Sequence, residues 1–163
     1  MEGTEADRDR LVELLRDHSL ILGEVTLASG ATASYYVDAR RTVMRPEGFL
    51  TCGRLIAERA RALGADAVGG PVTAAIPLAC AAIAVPEGSS LRGFFVRSAR
   101  KEHGLQRWIE GATEPGDRVL VVEDTVTTGG STVEAIAGAA DAPFEALATV
   151  DEIYPDRPDR SPG

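Results

Sequence analysis

The sequence has no excess of positive charge, few aromatic residues and almost no cysteine. Lys and Arg number 17 against 25 Asp and Glu, a formal net charge of −8. No basic stripe offsets that balance, which argues against a general nucleic-acid binder; its ordinary meaning is solubility. Aromatics make up 5% of a chain that is 44% hydrophobic, so the core is expected to be built from Ala, Val, Leu and Ile, as in layered α/β proteins. The two cysteines, Cys52 and Cys80, lie in apolar helical patterns without metal-ligand spacing and read as buried thiols in a reducing compartment. No run is long and apolar enough to span a membrane and no signal or transit peptide is visible, so no membrane partner and a cytoplasmic location are expected. Internal repeats are absent. No G-x-G-x-x-G follows the first strand, which counts against a dinucleotide-binding domain.

What is present centres on VLVVEDTVTTGGST, Val119 to Thr132. Four apolar residues, Val119 to Val122, read as a strand of a parallel sheet with both faces covered. Two acids follow, Glu123 and Asp124, then hydroxyls and glycines: Thr125, Thr127, Thr128, Gly129, Gly130, Ser131 and Thr132, with Val126 among them. Val133, Ile136 and a run of alanines then propose a helix. Strand, acid pair, Gly/Thr loop and helix N-terminus together make an anion site at the carboxyl edge of a sheet. Carboxylates beside a phosphate loop repel the anion unless they have another task, such as holding sugar hydroxyls or a divalent cation. A ribose 5-phosphate satisfies both halves.

Around this stretch, 163 residues suffice for one domain with a real core. Residues 1–4 read as a frayed end, and Leu11, Leu14 and Leu15 give an amphipathic helix from Glu5 to about Asp17. His18, near that helix end, reads as a cap or surface residue. Ser19–Leu27 and Ala33–Asp38 read as a hairpin able to lie over the carboxyl edge as a small hood. Pro46 opens the clearest helix and Gly64 closes it. A short strand over Ala65–Gly69 runs into a Gly70-Pro71-Val72-Thr73 turn, where a plain βα connection and a pyrophosphate-touching loop are equally open. An alanine-rich helix over 74–85 and a strand over 91–96 come next. Residues 97–111 are polar, basic and long for a connection, which marks a functional loop. Phe144–Val150 reads as the last strand and the Pro-rich tail from Tyr154 as disordered. The expected organisation is a single domain over 1–153, with a hood over about 1–40 and an α/β core over about 41–153, followed by a disordered tail over 154–163.

Arg97, Arg100, Lys101, His103 and Arg107 concentrate positive charge in one loop of an acidic chain. Positive groups aimed at a departing pyrophosphate stabilise its charge, and a loop that closes on substrate excludes water. His103 is suited to donate a proton or a hydrogen bond to that leaving group.

The strand, acid pair and Thr/Gly loop resemble the phosphoribosyl pyrophosphate (PRPP) motif of type I phosphoribosyltransferases. With TLASGATASYYVDARR (26–41), VGGPVTAAIPLA (68–79) and FVRSARKEHGLQRWIEG (95–111), the chain resembles the orotate phosphoribosyltransferase family over most of its length. The resemblance implies an α/β fold with a parallel sheet flanked by helices and a small N-terminal hood. It implies Mg²⁺-dependent transfer of phosphoribosyl from PRPP to a nitrogen heterocycle with release of pyrophosphate, orotate being the default acceptor in pyrimidine nucleotide synthesis. By the same resemblance Arg97, Lys101 and His103 contact PRPP from the loop, and Lys101, His103 and Asp124 carry catalysis. Glu123 and Asp124 bind the ribose, Thr125 through Ser131 cradle the 5′-phosphate with Thr127 also near the base, and Tyr36 and Val37 pack on the orotate ring. The Mg²⁺ is held mainly by PRPP, with no direct protein ligand. A homodimer is implied, the 97–111 loop being shared across the interface.

The chain departs from the family at Ser98, Ala28 and Ala31, where basic residues are common, and at Asp151-Glu152-Ile153, where the last strand of the family ends in Asp-Arg and the arginine holds the orotate carboxylate. A glutamate aimed there repels a carboxylate. Two alternatives therefore stand beside orotate transfer: a paralogue using a non-carboxylate base, and a non-catalytic PRPP-binding regulatory protein.

Overall fold

The computed structural model describes residues 2–26, 30, 32–97, 109–126 and 147–156. Helix α1 (Glu2–His18) leads into strands β1 (Leu20–Thr26) and β2 (Thr32–Val37), which pair antiparallel as the expected hairpin. The hairpin register shifts between Leu22 and Val25, at Gly23 with its φ of 121°, a bulge that suits glycine. A short helix α2 (Arg40–Val43) follows, then α3 (Pro46–Leu63), β3 (Ala67–Pro71), α4 (Ala75–Ala84), β4 (Arg92–Val96), β5 (Ile109–Gly111), β6 (Val119–Val121) and α5 (Val150–Ile153).

Helix α3 has both ends written in the chain. Pro46 occupies its first turn, where a missing N–H costs nothing. Gly64 terminates it in the left-handed region (φ 63°), and the Ala65 N–H donates to the Ala60 carbonyl at 2.9 Å. Its inward face carries small residues, Gly53, Ala57 and Ala60, so α4 approaches closely; a Cβ at Gly53 would stand 2.5 Å from the Ala81 carbonyl oxygen. Cys52, Leu55 and Ile56 join Leu11 and Leu15 of α1, Val68 of β3 and Leu78 of α4 in the main core. That core meets the expectation of aliphatic packing with few aromatics.

The main sheet has the order β5-β4-β3-β6, with β3 parallel to both β4 and β6 and β5 antiparallel to β4. Val68 and Ala67 are fully buried at its centre. The hood packs Leu20 and Val37 on the main core and is fastened by polar contacts as well. The Ser19 and Thr42 hydroxyls are 2.6 Å apart and buried, Thr42 Oγ1 donates to the Leu14 carbonyl at 3.0 Å, and the Asp38 N–H donates to the Ser19 carbonyl at 3.0 Å. Buried hydroxyls paired in this way fix the exit of β2 relative to α1.

Several expectations are corrected. The chain is helical from Glu2 rather than frayed over residues 1–4. Ile109–Gly111 is a strand, because its backbone completes an antiparallel pairing with Phe94–Val96, so the 97–111 segment is not loop throughout. Among the described residues β6 stands at the edge of the sheet, and Val119 is 47% exposed instead of covered on both faces. Leu147 to Val150 is not strand: Thr149 caps α5 through a capping box, its side chain accepting from the Glu152 N–H while Glu152 accepts from the Thr149 N–H. Tyr154 is ordered against Tyr35, ring centroids 5.6 Å apart at 77°, so the tail does not lose structure there. Cys80 is exposed, whereas Cys52 is buried with its thiol pushed up to about 12 by burial. His18 is the last residue of α1, as expected. The helix expected from Ser131 and most of the strand expected from Phe144 lie outside the described residues, as does the tail beyond 156.

Candidate active site

The site is built where the carboxyl ends of β3 and β6 lie side by side. The Val122 N–H donates to the Gly69 carbonyl at 2.8 Å, continuing the ladder one step past β6. A Cβ at Gly70 would collide with the Val122 carbonyl oxygen and stand 2.9 Å from Ala75 Cβ. Glycine is therefore required at 70 for the two carboxyl ends to meet. From this edge β3 enters the 72–74 turn, whose Val72–Thr73 peptide is cis, and then α4. β6 enters Glu123, Asp124, Thr125 and Val126.

Glu123 and Asp124 are partly exposed, and Thr125 and Val126 are exposed. Asp124 Oδ1 accepts from the Thr125 N–H at 2.8 Å and from Thr125 Oγ1 at 3.3 Å, which turns the chain at the strand end and orients that carboxylate. Thr127, Thr128, Gly129, Gly130 and Ser131 lie outside the described residues, and so do Lys101 and His103. The amide cradle and the basic loop tip are thus known here only from sequence.

Arg97 follows β4 directly, and its Nη1 donates to Glu110 of β5 at 2.9 Å while its Nε is buried without a hydrogen-bond partner. The two ends of the basic segment are therefore tied together at the sheet. Glu110 was missed in reading the sequence; it belongs to the QRWIEG run, which was treated as loop.

Tyr36 and Val37 take opposite faces of β2, because side chains alternate along a strand. Tyr36 is 36% exposed, while Val37 packs on the main core. One residue on, the Asp38 carboxylate accepts from Arg40 Nε at 2.7 Å. That hydrogen bond holds the Arg40 guanidinium above its ordinary pKa, and the Asp38, Tyr36 and Asp124 charges add to the effect. Arg40 thus feels the Tyr36 and Asp124 charges as well as that of Asp38, which relates the hood electrostatically to the acid pair. Arg40 was also missed; the signal that could have found it is the D-x-R spacing after YYVD.

Glu152 is corrected. It does not reach toward an acceptor but pairs with Arg8 of α1 at 2.6 Å and completes the cap of α5. Hydrogen bonds from the Thr149 backbone and hydroxyl, and then from Arg8, hold its carboxyl below the usual range. Among the described residues no group of three or more His, Cys, Asp or Glu could hold a metal ion, and no helix is long and apolar enough to cross a membrane.

A mixed sheet with a parallel centre flanked by helices, an antiparallel hood, and an acid pair leading into a Thr/Gly segment at the carboxyl edge define a phosphoribosyltransferase of type I. No protein-family model matches the chain. The orotate phosphoribosyltransferase of Mycobacterium leprae is 44% identical over 138 residues, spanning 85% of this chain and 76% of the relative. That of Corynebacterium glutamicum strain R is 41% identical over 140 residues, 86% of this chain and 76% of the relative. Among solved structures, Mycobacterium tuberculosis H37Rv orotate phosphoribosyltransferase in complex with Fe(III) dicitrate matches with a TM-score of 0.71 at 45% identity, over 80% of this chain and 74% of that one. The same enzyme in complex with PRPP gives 0.66 at 38% identity, over 85% and 77%. The chain belongs to the orotate phosphoribosyltransferase family.

Proposed function

We propose that the protein transfers the 5-phosphoribosyl group of PRPP to orotate, giving orotidine 5′-phosphate and pyrophosphate in pyrimidine nucleotide synthesis. The observation that carries this is the oriented Asp124 at the carboxyl end of β6, in a chain 41–44% identical to enzymes of that name over 85–86% of its length. The bond from the ribose anomeric carbon to the pyrophosphate oxygen breaks, its electron pair leaving with pyrophosphate, and a bond to the base nitrogen forms. No protein nucleophile is needed. Glu123 and Asp124 hold the ribose hydroxyls and face the positive charge that grows on the sugar. Thr125 to Ser131 take the 5′-phosphate on backbone amides. Arg97, Lys101 and His103 neutralise the departing pyrophosphate. Tyr36 supplies the surface on which the base stacks, and Val37, turned to the core, contributes through its backbone; Thr127 lies near the base.

The carboxylates of Glu123 and Asp124 are hard oxygen donors that suit Mg²⁺, and the ion would be carried chiefly by PRPP oxygens. When bound it supplies charge neutralisation at the pyrophosphate. The working form is a homodimer in which the segment between Arg97 and Ile109 reaches the neighbouring subunit's site. The protein acts in the cytoplasm as one domain over residues 1–153. The paralogue alternative rested on the absent basic residues at Ala28 and at Glu152 as well as on repulsion by the Glu152 carboxylate; the pairing with Arg8 removes the repulsion alone.

Purified protein supplied with PRPP, orotate and Mg²⁺ tests the reading. Pyrophosphate release that needs all three is expected. PRPP binding by calorimetry without pyrophosphate release for any base would instead establish a regulatory protein.

A further inference from the structure

Orotate is an anion, and the edge at which it must react is acidic. Asp38, Glu123 and Asp124 are all there, so a carboxylate brought among them needs a cation of its own. Glu152 is engaged by Arg8, and Arg97, held by Glu110 through one nitrogen, is assigned above to the departing pyrophosphate. Arg40 is placed differently. Its Nε is fixed by Asp38 at 2.7 Å, its side chain is 57% exposed, and its two terminal nitrogens make no hydrogen bond among the described residues. The turn that bears it is rigid: Ala39 is buried in the main core, on which Val122 also packs, and the Arg41 N–H donates to the Asp38 carbonyl at 3.1 Å. Among the described residues the guanidinium is thus a planar fork held at its stem and open at its end, within electrostatic reach of Tyr36 and Asp124. Such a fork matches a carboxylate in two-point fashion.

We propose that Arg40 receives the carboxylate of the acceptor and sets the preference for an anionic pyrimidine, with Asp38 as its positioning residue. This inference rests on the phosphoribosyl transfer proposed above and names how that site chooses its base. The stacked ring lies on Tyr36, and its carboxylate points along the chain to the terminal nitrogens of Arg40. Arg40 makes no hydrogen bond to Glu123 or Asp124 among the described residues, so donor and acceptor constants should separate when it is removed.

The test compares wild type, Arg40→Ala, Arg40→Lys and Asp38→Asn in steady-state kinetics with orotate and with neutral uracil, varying PRPP and base in turn. Removing one partner of a charged pair predicts an orotate KM raised about 10- to 100-fold in Arg40→Ala, with the PRPP KM unchanged. Arg40→Lys should recover part of the loss, Asp38→Asn should show a smaller rise, and discrimination against uracil should shrink in Arg40→Ala. An orotate KM in Arg40→Ala within about twofold of wild type refutes this inference alone, as does an equal rise in the PRPP KM. A wild type that releases no pyrophosphate with orotate refutes the parent reading as well, which keeps the two failures apart.

Discussion

The arginines of the α1 face and those of the carboxyl edge are used in opposite ways. On the first, Arg54 binds Asp7 with two nitrogens at 2.7 and 2.6 Å, Arg10 spans Glu13 and Glu47 at 2.7 Å each, and Arg8 meets Glu152 at 2.6 Å. Those pairs link α1 to α3 and α5: Arg54 and Arg10 each spend two nitrogens, and Arg8 spends one on a carboxylate that also caps α5. At the carboxyl edge, Arg40 and Arg97 each contact a single carboxylate through one nitrogen. Charge that closes a fold is satisfied on both sides, while charge meant for a ligand is steadied at one point and left open at another. Substitutions at the edge should therefore cost activity more than stability, and those on the α1 face the reverse.

The largest effect is expected at Asp124. Asp124→Asn keeps the side chain's shape and its capacity to accept from Thr125 but loses the charge facing the ribose. Turnover should fall about 10²- to 10³-fold with the melting temperature unchanged. A loss of melting temperature in parallel would move Asp124 to the structural side of the comparison. Arg97→Ala should come next, raising the PRPP KM about 10-fold, since the charge of one guanidinium is withdrawn from the pyrophosphate. An unchanged PRPP KM would mean that the pair with Glu110 only closes the β4–β5 hairpin.

The opposite signature is expected where α3 meets α4. Gly53→Ala places a methyl group 2.5 Å from the Ala81 carbonyl oxygen, between two helices with no slack. A cost of about 1–3 kcal/mol follows, read as a melting point lower by several degrees, with KM for both substrates preserved. Preserved stability would show that the helices part easily, and would weaken the picture of a rigid platform under the site.

Much of this division was legible before any coordinates. Pro46 and Gly64 bracket a helix by local rules that tertiary structure did not override, and the hood hairpin and the strand before the acid pair follow from apolar patterning. The misses have physical causes. β5 is three residues whose state is decided by a partner, Phe94–Val96, rather than by their own pattern. The Thr149-Val150-Asp151-Glu152 run carries a capping-box signature, but the preceding apolar residues read as a continuing strand, and Glu152 was accordingly aimed at the substrate. Of the site, the acid pair and Arg97 were read from motif spacing. Arg40 and Glu110 were not, because what distinguishes them is a neighbour brought near by the fold.

The smallest effect concerns acid stability, and it separates the two faces by pH. Glu152 and Asp7 both titrate below their ordinary values in the folded protein, Glu152 through hydrogen bonds from Thr149 and Arg8, Asp7 through that from Arg54. A carboxyl whose pKa is depressed by folding binds protons more readily in the unfolded chain. Its contribution to stability is therefore full above the unfolded values, 4.5 for Glu152 and 3.8 for Asp7, and is lost as pH falls through the lower folded ones. The melting temperature should decline between about pH 5 and pH 3 as these pairs are discharged. Glu152→Gln should flatten the upper part of that decline and leave the part belonging to Asp7, because only one of the two titrations is removed. Since both side chains are partly exposed, the change should be modest and should diminish in high salt. A Glu152→Gln profile parallel to wild type across the whole range would mean that the Arg8 pair adds nothing to folding, and would leave α5 held to α1 by Arg16, which donates to the Glu152 and Ile153 carbonyls, and to the core by Ile153.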